Sequence, residues 1–268
     1  MKKPSLPALI VISVLFAGAA SASYISLKTT LSSKVEGNIL KVKVSAVNNG
    51  DEAAYNVQPE IRAGKQKRLA RKREELGIAG TYQAEERFVL GFKNPGQYPL
   101  LLTLHYTDAN QYPFSALSCQ LFSYGTGVAP SDVFGRLQPA TFWKKGRVKL
   151  ALKNRSEAQL PLSVFLALPR ELSCAKESMR LDIPARSERT AEFEVENFSA
   201  LSGSNYQVFA IAEYEREGRH YTNITPGTLK IVESRTILGV DYVYVLGFLV
   251  ILVVVFLSFQ FVPFLFKK

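Results

Sequence analysis

The sequence predicts an all-β fold, two tandem β-sandwich domains followed by one C-terminal transmembrane α-helix, and three observations predict it. Apolar and polar residues alternate with a period of two through long stretches, as half-buried strands require. One pattern of strands and turns is written twice. A charge-free apolar run closes the chain.

At the start, Lys2 and Lys3 precede an apolar segment from Leu6 to Phe16 and small residues ending in Ala20-Ser21-Ala22. Charge, hydrophobic core and A-x-A site in that order describe a cleavable secretory signal, so residues 1–22 are expected to be removed and the remainder exported.

Residues 23–127 form the first expected domain. In Leu40-Lys41-Val42-Lys43-Val44-Ser45-Ala46 the even positions are apolar, and Tyr98, Leu100, Leu102, Leu104 and Tyr106 share one strand face. Asn48-Asn49-Gly50-Asp51, Asn94-Pro95-Gly96 and Asp108-Ala109-Asn110 are turn signals between such runs. Residues 128–138, with Pro130 and Gly135, read as a short stiff linker. Residues 139–233 repeat the first pattern: VKVSAVNNGDEA from Val42 matches VKLALKNRSEA from Val148, and YPLLLTLHYTD from Tyr98 matches YQVFAIAEYER from Tyr206. Two copies of one module is the economical account.

After a tether at 234–241 comes the apolar run at 242–266, about 37 Å long as a helix and sufficient to cross a hydrocarbon core of about 30 Å. Lys267 and Lys268 form an expected cytoplasmic tail by the positive-inside rule, with the N-terminal part outside the cytoplasm, periplasmic or extracellular.

The chain has 33 Lys and Arg against 23 Asp and Glu, a net charge of +10. The excess is concentrated: Lys65, Lys67, Arg68, Arg71, Lys72 and Arg73 lie within nine positions. Leu, Ala, Arg, Lys and Glu in that stretch favour one or two helical turns. The functional reading is a contact site for an anionic partner, an anionic polysaccharide, a lipid phosphate or an acidic protein surface; the structural alternative is a solvated loop partly balanced by Glu74, Glu75, Glu85 and Glu86. Nucleic acid is disfavoured for an exported domain.

A strand ending in N-x-G-x-x-A, followed later by G-x-Y-x-L running into Y-x-D, resembles the immunoglobulin-like modules of prokaryotic exported proteins, the CARDB-like and NEW3-like group. Asn48, Gly50, Ala53, Gly96, Tyr98, Tyr106 and Asp108 carry the resemblance, with Asn154, Ala158, Tyr206 and Tyr214 in the second copy. Ser156 stands at the position of Gly50, and Glu215 at that of Asp108. The resemblance implies immunoglobulin-like β-sandwiches and a spacer, adhesion or scaffold role without shared catalytic residues.

Few other residues point to chemistry. Cys119 and Cys174 are a candidate disulfide in an oxidising compartment, although Cys119 shares strand parity with Leu117 and Leu121 and also reads as a buried apolar side chain. His105 and His220 each adjoin a Tyr in a strand and read as surface residues; no metal, cofactor or catalytic set is predicted. Asn154, Asn197 and Asn223 begin N-x-S/T triplets of no expected consequence. Trp143, Tyr112 and Tyr221 could stack on a sugar or simply close the fold. The sequence thus predicts a non-enzymatic envelope adaptor or scaffold contacting an envelope or membrane protein, within a transport, secretion or polysaccharide-assembly complex, with the membrane held through the C-terminal helix. The alternative is a carbohydrate-binding or adhesion module.

Overall fold

The computed structural model describes residues 24–233, 236–237 and 240–265, with side chains at 24–233 and 240–256. The signal expected at 1–22 and the tail at 267–268 lie outside the described residues. The chain divides into two compact units interleaved in sequence. The first comprises residues up to Arg62, Gln66–Leu90 and Leu102–Ser118; the second comprises Ala63–Lys65, Gly91–Leu101 and everything from Cys119 onward.

Strands β1 (Leu27–Glu36), β2 (Ile39–Asn48), β3 (Ala54–Ala63), β4 (Gln66–Leu69), β5 (Arg73–Leu76), β6 (Thr81–Val89), β7 (Gly96–Thr107) and β8 (Pro113–Tyr124) come first. In the first unit β1, β2 and β6 form an antiparallel sheet in that order. β7 lies between β3 and β8, and β4 and β5 both pair with β3, β5 opposite Ala54–Val57. Ala46 from β2, Val57 from β3, Leu76 from β5, Tyr82 from β6 and Leu104 from β7 meet in one buried cluster. Residues on both sheets thus bury their apolar faces against each other, which is what makes a sandwich.

The second unit holds β9 (Val133–Leu137), β10 (Ala140–Phe142), β11 (Lys145–Asn154), β12 (Leu160–Ala167), β13 (Leu172–Cys174), β14 (Ser178–Ile183), β15 (Glu188–Asn197), β16 (Asn205–Arg216) and β17 (Arg219–Ile231). One sheet runs β13, β15, β11, β9; the facing layer runs β14, β12, β16, β17, with β10 parallel to β17. With β9, β11, β12, β15, β16 and β17 named A, B, C, E, F and G, the sheets contain E-B-A and C-F-G as in an immunoglobulin sandwich, but β13, which pairs with E, precedes β14, which pairs with C, the reverse of the order C′ then D. Val148, Leu150 and Phe193 of one layer pack with Leu162, Val164 and Val208 of the other. The segment expected as linker contains β9, a strand of five residues; its Val133 and Leu137 are buried and alternate with exposed Phe134 and Arg136, a pattern too short to stand out between proline and glycine.

On the outer face of β11 and β15 basic residues of one strand stand opposite acidic residues of the other: Lys145 and Glu196, Arg147 and Glu194, Lys149 and Glu192, Lys153 and Glu188. Lys145 reaches Glu196 at 2.5 Å and Lys149 reaches Glu192 at 3.4 Å.

An α-helix, α1, covers Tyr242–Leu265. Among the described residues no helix is long and apolar enough to cross a membrane. The expectation of a transmembrane helix over 242–266 is corrected on that finding.

Candidate partner-binding site

All six residues of the basic cluster are exposed. The segment is not helical: Gln66–Leu69 and Arg73–Leu76 are strands, because pairing with β3 outweighs a weak helical propensity. Gly64, at φ +57°, makes the turn from β3 into the cluster. From there the backbone is tied down repeatedly. Ala70 N–H donates to the Pro59 carbonyl at 2.9 Å, and the Gln58 amide donates to the Ala70 carbonyl at 3.2 Å. The Tyr82 hydroxyl donates to the Arg71 carbonyl at 2.6 Å, and the Gln66 amide to the Val89 carbonyl at 2.6 Å.

Extended backbone sends successive side chains to opposite faces, and the cations divide accordingly. Lys67 reaches Glu60 at 2.8 Å, while Arg68 lies over the Phe88 ring, 5.6 Å from its centroid. Lys72 pairs with Glu74 at 3.3 Å. Arg73 donates to the carbonyls of Glu75 and Thr81 at 2.9 and 3.3 Å. Lys65 and Arg71 complete the exposed set.

Glu60 also lies 3.3 Å from His105 Nε2. Burial alone would raise its carboxyl, yet the hydrogen bonds from Lys67 and His105 hold it below the ordinary carboxylate value. Tyr82 is pushed up by burial and by Glu86, against the opposing charge of Arg71. Glu60, His105, Tyr82 and Phe88 are the supports that sequence reasoning missed. Only strand register, which brings β3, β6 and β7 beside the cluster, would have found them.

The second unit contains a different polar assembly. The His220 side chain is 11% exposed, not a surface residue as its place beside a Tyr suggested. Its Nε2 lies 3.1 Å from Glu213 and 3.3 Å from the Thr222 hydroxyl, and its Nδ1 lies 3.9 Å from Glu215. The ring stacks on Tyr98 at 4.1 Å, and Tyr98 stacks in turn on Phe92 at 3.7 Å. Burial, then Glu215 and Glu213, push the Tyr98 phenol up to about 12. A Cβ on Gly96 would lie 1.9 Å from the His220 carbonyl oxygen, so only glycine fits there. Beside this assembly is a cleft of about 570 Å³, lined among others by Ser163, Arg180, Asp182, Glu213, Glu215 and His220.

The two cysteines are free, which corrects the candidate disulfide Cys119–Cys174. Cys174 sits in the core and its thiol donates to the Lys176 carbonyl at 3.3 Å. Burial, with Glu213 adding to it, pushes the Cys119 thiol up to about 12. The candidate sugar-stacking aromatics are used in packing: Trp143 lies against the core of the second unit, Tyr221 is 5% exposed and stacks on Tyr214 at 5.0 Å, and Tyr112 adjoins Phe114. Among the described residues no group of three or more His, Cys, Asp and Glu could hold a metal ion.

No family model matches the chain, and no curated protein matches it. Among solved structures, native alpha-2-macroglobulin of E. coli aligns with 77% of this chain and 17% of its own, at 12% identity and a TM-score of 0.29. Red sea bream transglutaminase aligns with 78% of this chain and 31% of its own, at 9% identity and a TM-score of 0.28. An ASH/PapD-like domain of human CEP192 aligns with 41% of this chain and 94% of its own, at 12% identity and a TM-score of 0.30. The chain spans less than a third of the length of the first two proteins. Likenesses this distant carry no argument, so the sandwich architecture rests on the chain's own hydrogen-bonded sheets.

Proposed function

We propose that the chain is a non-enzymatic adaptor of the cell envelope, presenting immunoglobulin-like modules outside the cytoplasm to an acidic surface of an envelope protein. The observation that supports this is the basic hairpin: exposed cations on a backbone already fixed by Pro59, Gln58, Tyr82 and Gln66. Fixing the backbone beforehand removes much of the ordering cost that a mobile loop would meet on binding. The opposing charge on the hairpin steers encounter as well as holding the partner.

Co-purification tests the reading, with the full chain compared against a variant carrying Ser at Lys65, Lys67, Arg68, Arg71, Lys72 and Arg73. A defined envelope protein that accompanies the full chain and is lost from the variant is the expected result. Identical partners in both samples would remove the hairpin from the contact.

The cleft beside His220 favours a second reading, a carbohydrate-binding or adhesion module. Carboxylates, a guanidinium and the Ser163 hydroxyl around one hollow are the polar groups that sugar hydroxyls need. Saturable binding to purified glycans that is weakened by Arg180→Ala, while the six-serine variant binds normally, would move the assignment there.

A further inference from the structure

β1 is the edge of a three-stranded sheet, paired with β2 along its full length. Half-buried and exposed side chains alternate over all ten of its residues. Its counterpart in the second unit, β9, is half as long. There Val133 and Leu137 are sealed, 0% and 7% exposed, and the chain then crosses to place β10 along the rim of the other layer. β1 makes no such crossing, so inward-facing Leu31 and Val35 remain partly exposed. A long edge of this kind is a template for another strand.

We propose that β1 pairs with β1 of a second copy of this chain, antiparallel about a two-fold axis through Ser32, so that the two sheets join into one. The occupant follows from charge. Residues directly opposite in an antiparallel pair point to the same face, so a symmetric pairing that keeps inward residues inward must centre on a residue. Two centres, Leu31 and Ser32, keep nine of the ten residues paired. An axis through Leu31 sets Lys28 opposite Lys34 twice, a like-charge arrangement that destabilises. An axis through Ser32 sets Lys28 opposite Glu36 twice and Thr30 opposite Lys34, with Thr29 opposite Val35 on the inner face. Glu36 is 43% exposed at the end of the strand and would share its carboxylate, which also accepts Lys34 and Lys41 at 2.9 and 2.5 Å, with Lys28 of the second copy. Two opposite-charge contacts at the ends of one self-complementary strand describe an isologous dimer.

Light scattering and sedimentation of the full chain test this, the expected species having twice the 29.8 kDa of one chain. Lys28→Glu sets carboxylate against carboxylate, and Glu36→Lys sets ammonium against ammonium; each alone is expected to weaken the dimer about tenfold, from two like-charge contacts. An equimolar mixture of the two variants is expected to restore it, since every end contact then joins opposite charges, and restoration also shows that both variants fold. Ser32→Cys is expected to give a disulfide-linked dimer under mild oxidation, with Thr30→Cys giving none. A monomeric wild-type chain overturns the proposal. So does a dimer that survives unchanged in both single variants, which would place the contact on another surface such as α1, and so does a mixture that stays dissociated.

Discussion

The imidazole of His220 lies flat on the phenol ring of Tyr98, centroids 4.1 Å apart and planes 2° from parallel. Phe92 covers the opposite face of Tyr98 at 3.7 Å and 11°. Thr222 adds a hydrogen bond from its hydroxyl to the Gln97 carbonyl at 2.7 Å, and His220 N–H donates to Pro95 O at 2.9 Å. Stacked rings and backbone bonds therefore fasten the start of β7 to the start of β17 within the second unit.

Truncating the stack has a measurable cost. His220→Ala removes a ring contact worth roughly 0.5–1.5 kcal/mol and leaves Glu213 without its partner, so a loss of about 2 kcal/mol is expected in urea unfolding. His220→Phe keeps the stack and gives up the Glu213 contact, and a smaller loss is expected. Gly96→Ala, which drives a methyl into the His220 carbonyl, is expected to exceed both.

Asn48 and Asn154 perform one task in the two copies. The Asn48 amide donates to the carbonyls of Glu52 and Leu76 at 2.7 and 3.2 Å, and its Oδ1 accepts from Gly50 N–H at 3.0 Å. Asn154 donates to Ala158 and Ile183 at 2.7 and 3.2 Å and accepts from Ser156 N–H at 2.9 Å. Both are 0% exposed. Replacing either by Ala strands buried carbonyls, and a destabilisation of about 2–4 kcal/mol per site is expected in denaturant titrations. Asn154 is also expected to escape glycosylation in any host, which mass spectrometry of the expressed chain checks.

Thiol chemistry separates free cysteines from a disulfide. Cys119 and Cys174 both have raised thiol pKa values, caused first by burial, and a protonated buried thiol is a poor nucleophile. Ellman's reagent is expected to find almost no reactive thiol in the native chain and two in denaturant without reductant. Two that appear only after reduction would restore the bridge.

Glu60 predicts an acid response. Its folded carboxyl titrates below its unfolded value, so its contribution is complete above the ordinary carboxylate range and is lost as pH falls through the lower, folded pKa. Glu60→Gln is expected to flatten this part of the stability profile below the ordinary carboxylate range, read by urea midpoints at successive pH values. The same substitution is expected to leave binding of an acidic partner intact or stronger, since Lys67 is released.

How far these features were legible depends on their range along the chain. Strand alternation is local, and it marked β2, β7, β11 and β16 correctly. The recurrence of Asn48 at Asn154 was visible because the motif is short; so was the departure at Gly50, now explained by Tyr24 O, 2.3 Å from where a Cβ would stand, against a Ser156 hydroxyl that bonds Asn154. Pairings across strands were not legible. Nothing in the spacing of Lys67 and Glu60, or of Tyr98 and His220, announces that a sheet brings them together. The basic cluster was found, but its conformation was not, because helix propensity is weak beside the hydrogen bonds offered by β3.

The charge ladder on β11 and β15 has an electrical consequence. Cations and anions facing each other a few ångströms apart cancel before their field reaches one Debye length, about 8 Å at physiological ionic strength. At a distance that face is close to silent, and salt has little there to screen beyond exposed pairs that add little to stability. The basic hairpin, compensated only in part by Glu60 and Glu74, keeps a net positive field at that distance. Added salt therefore acts as a selective dial, turning down the hairpin's reach while leaving the ladder's sheet in place.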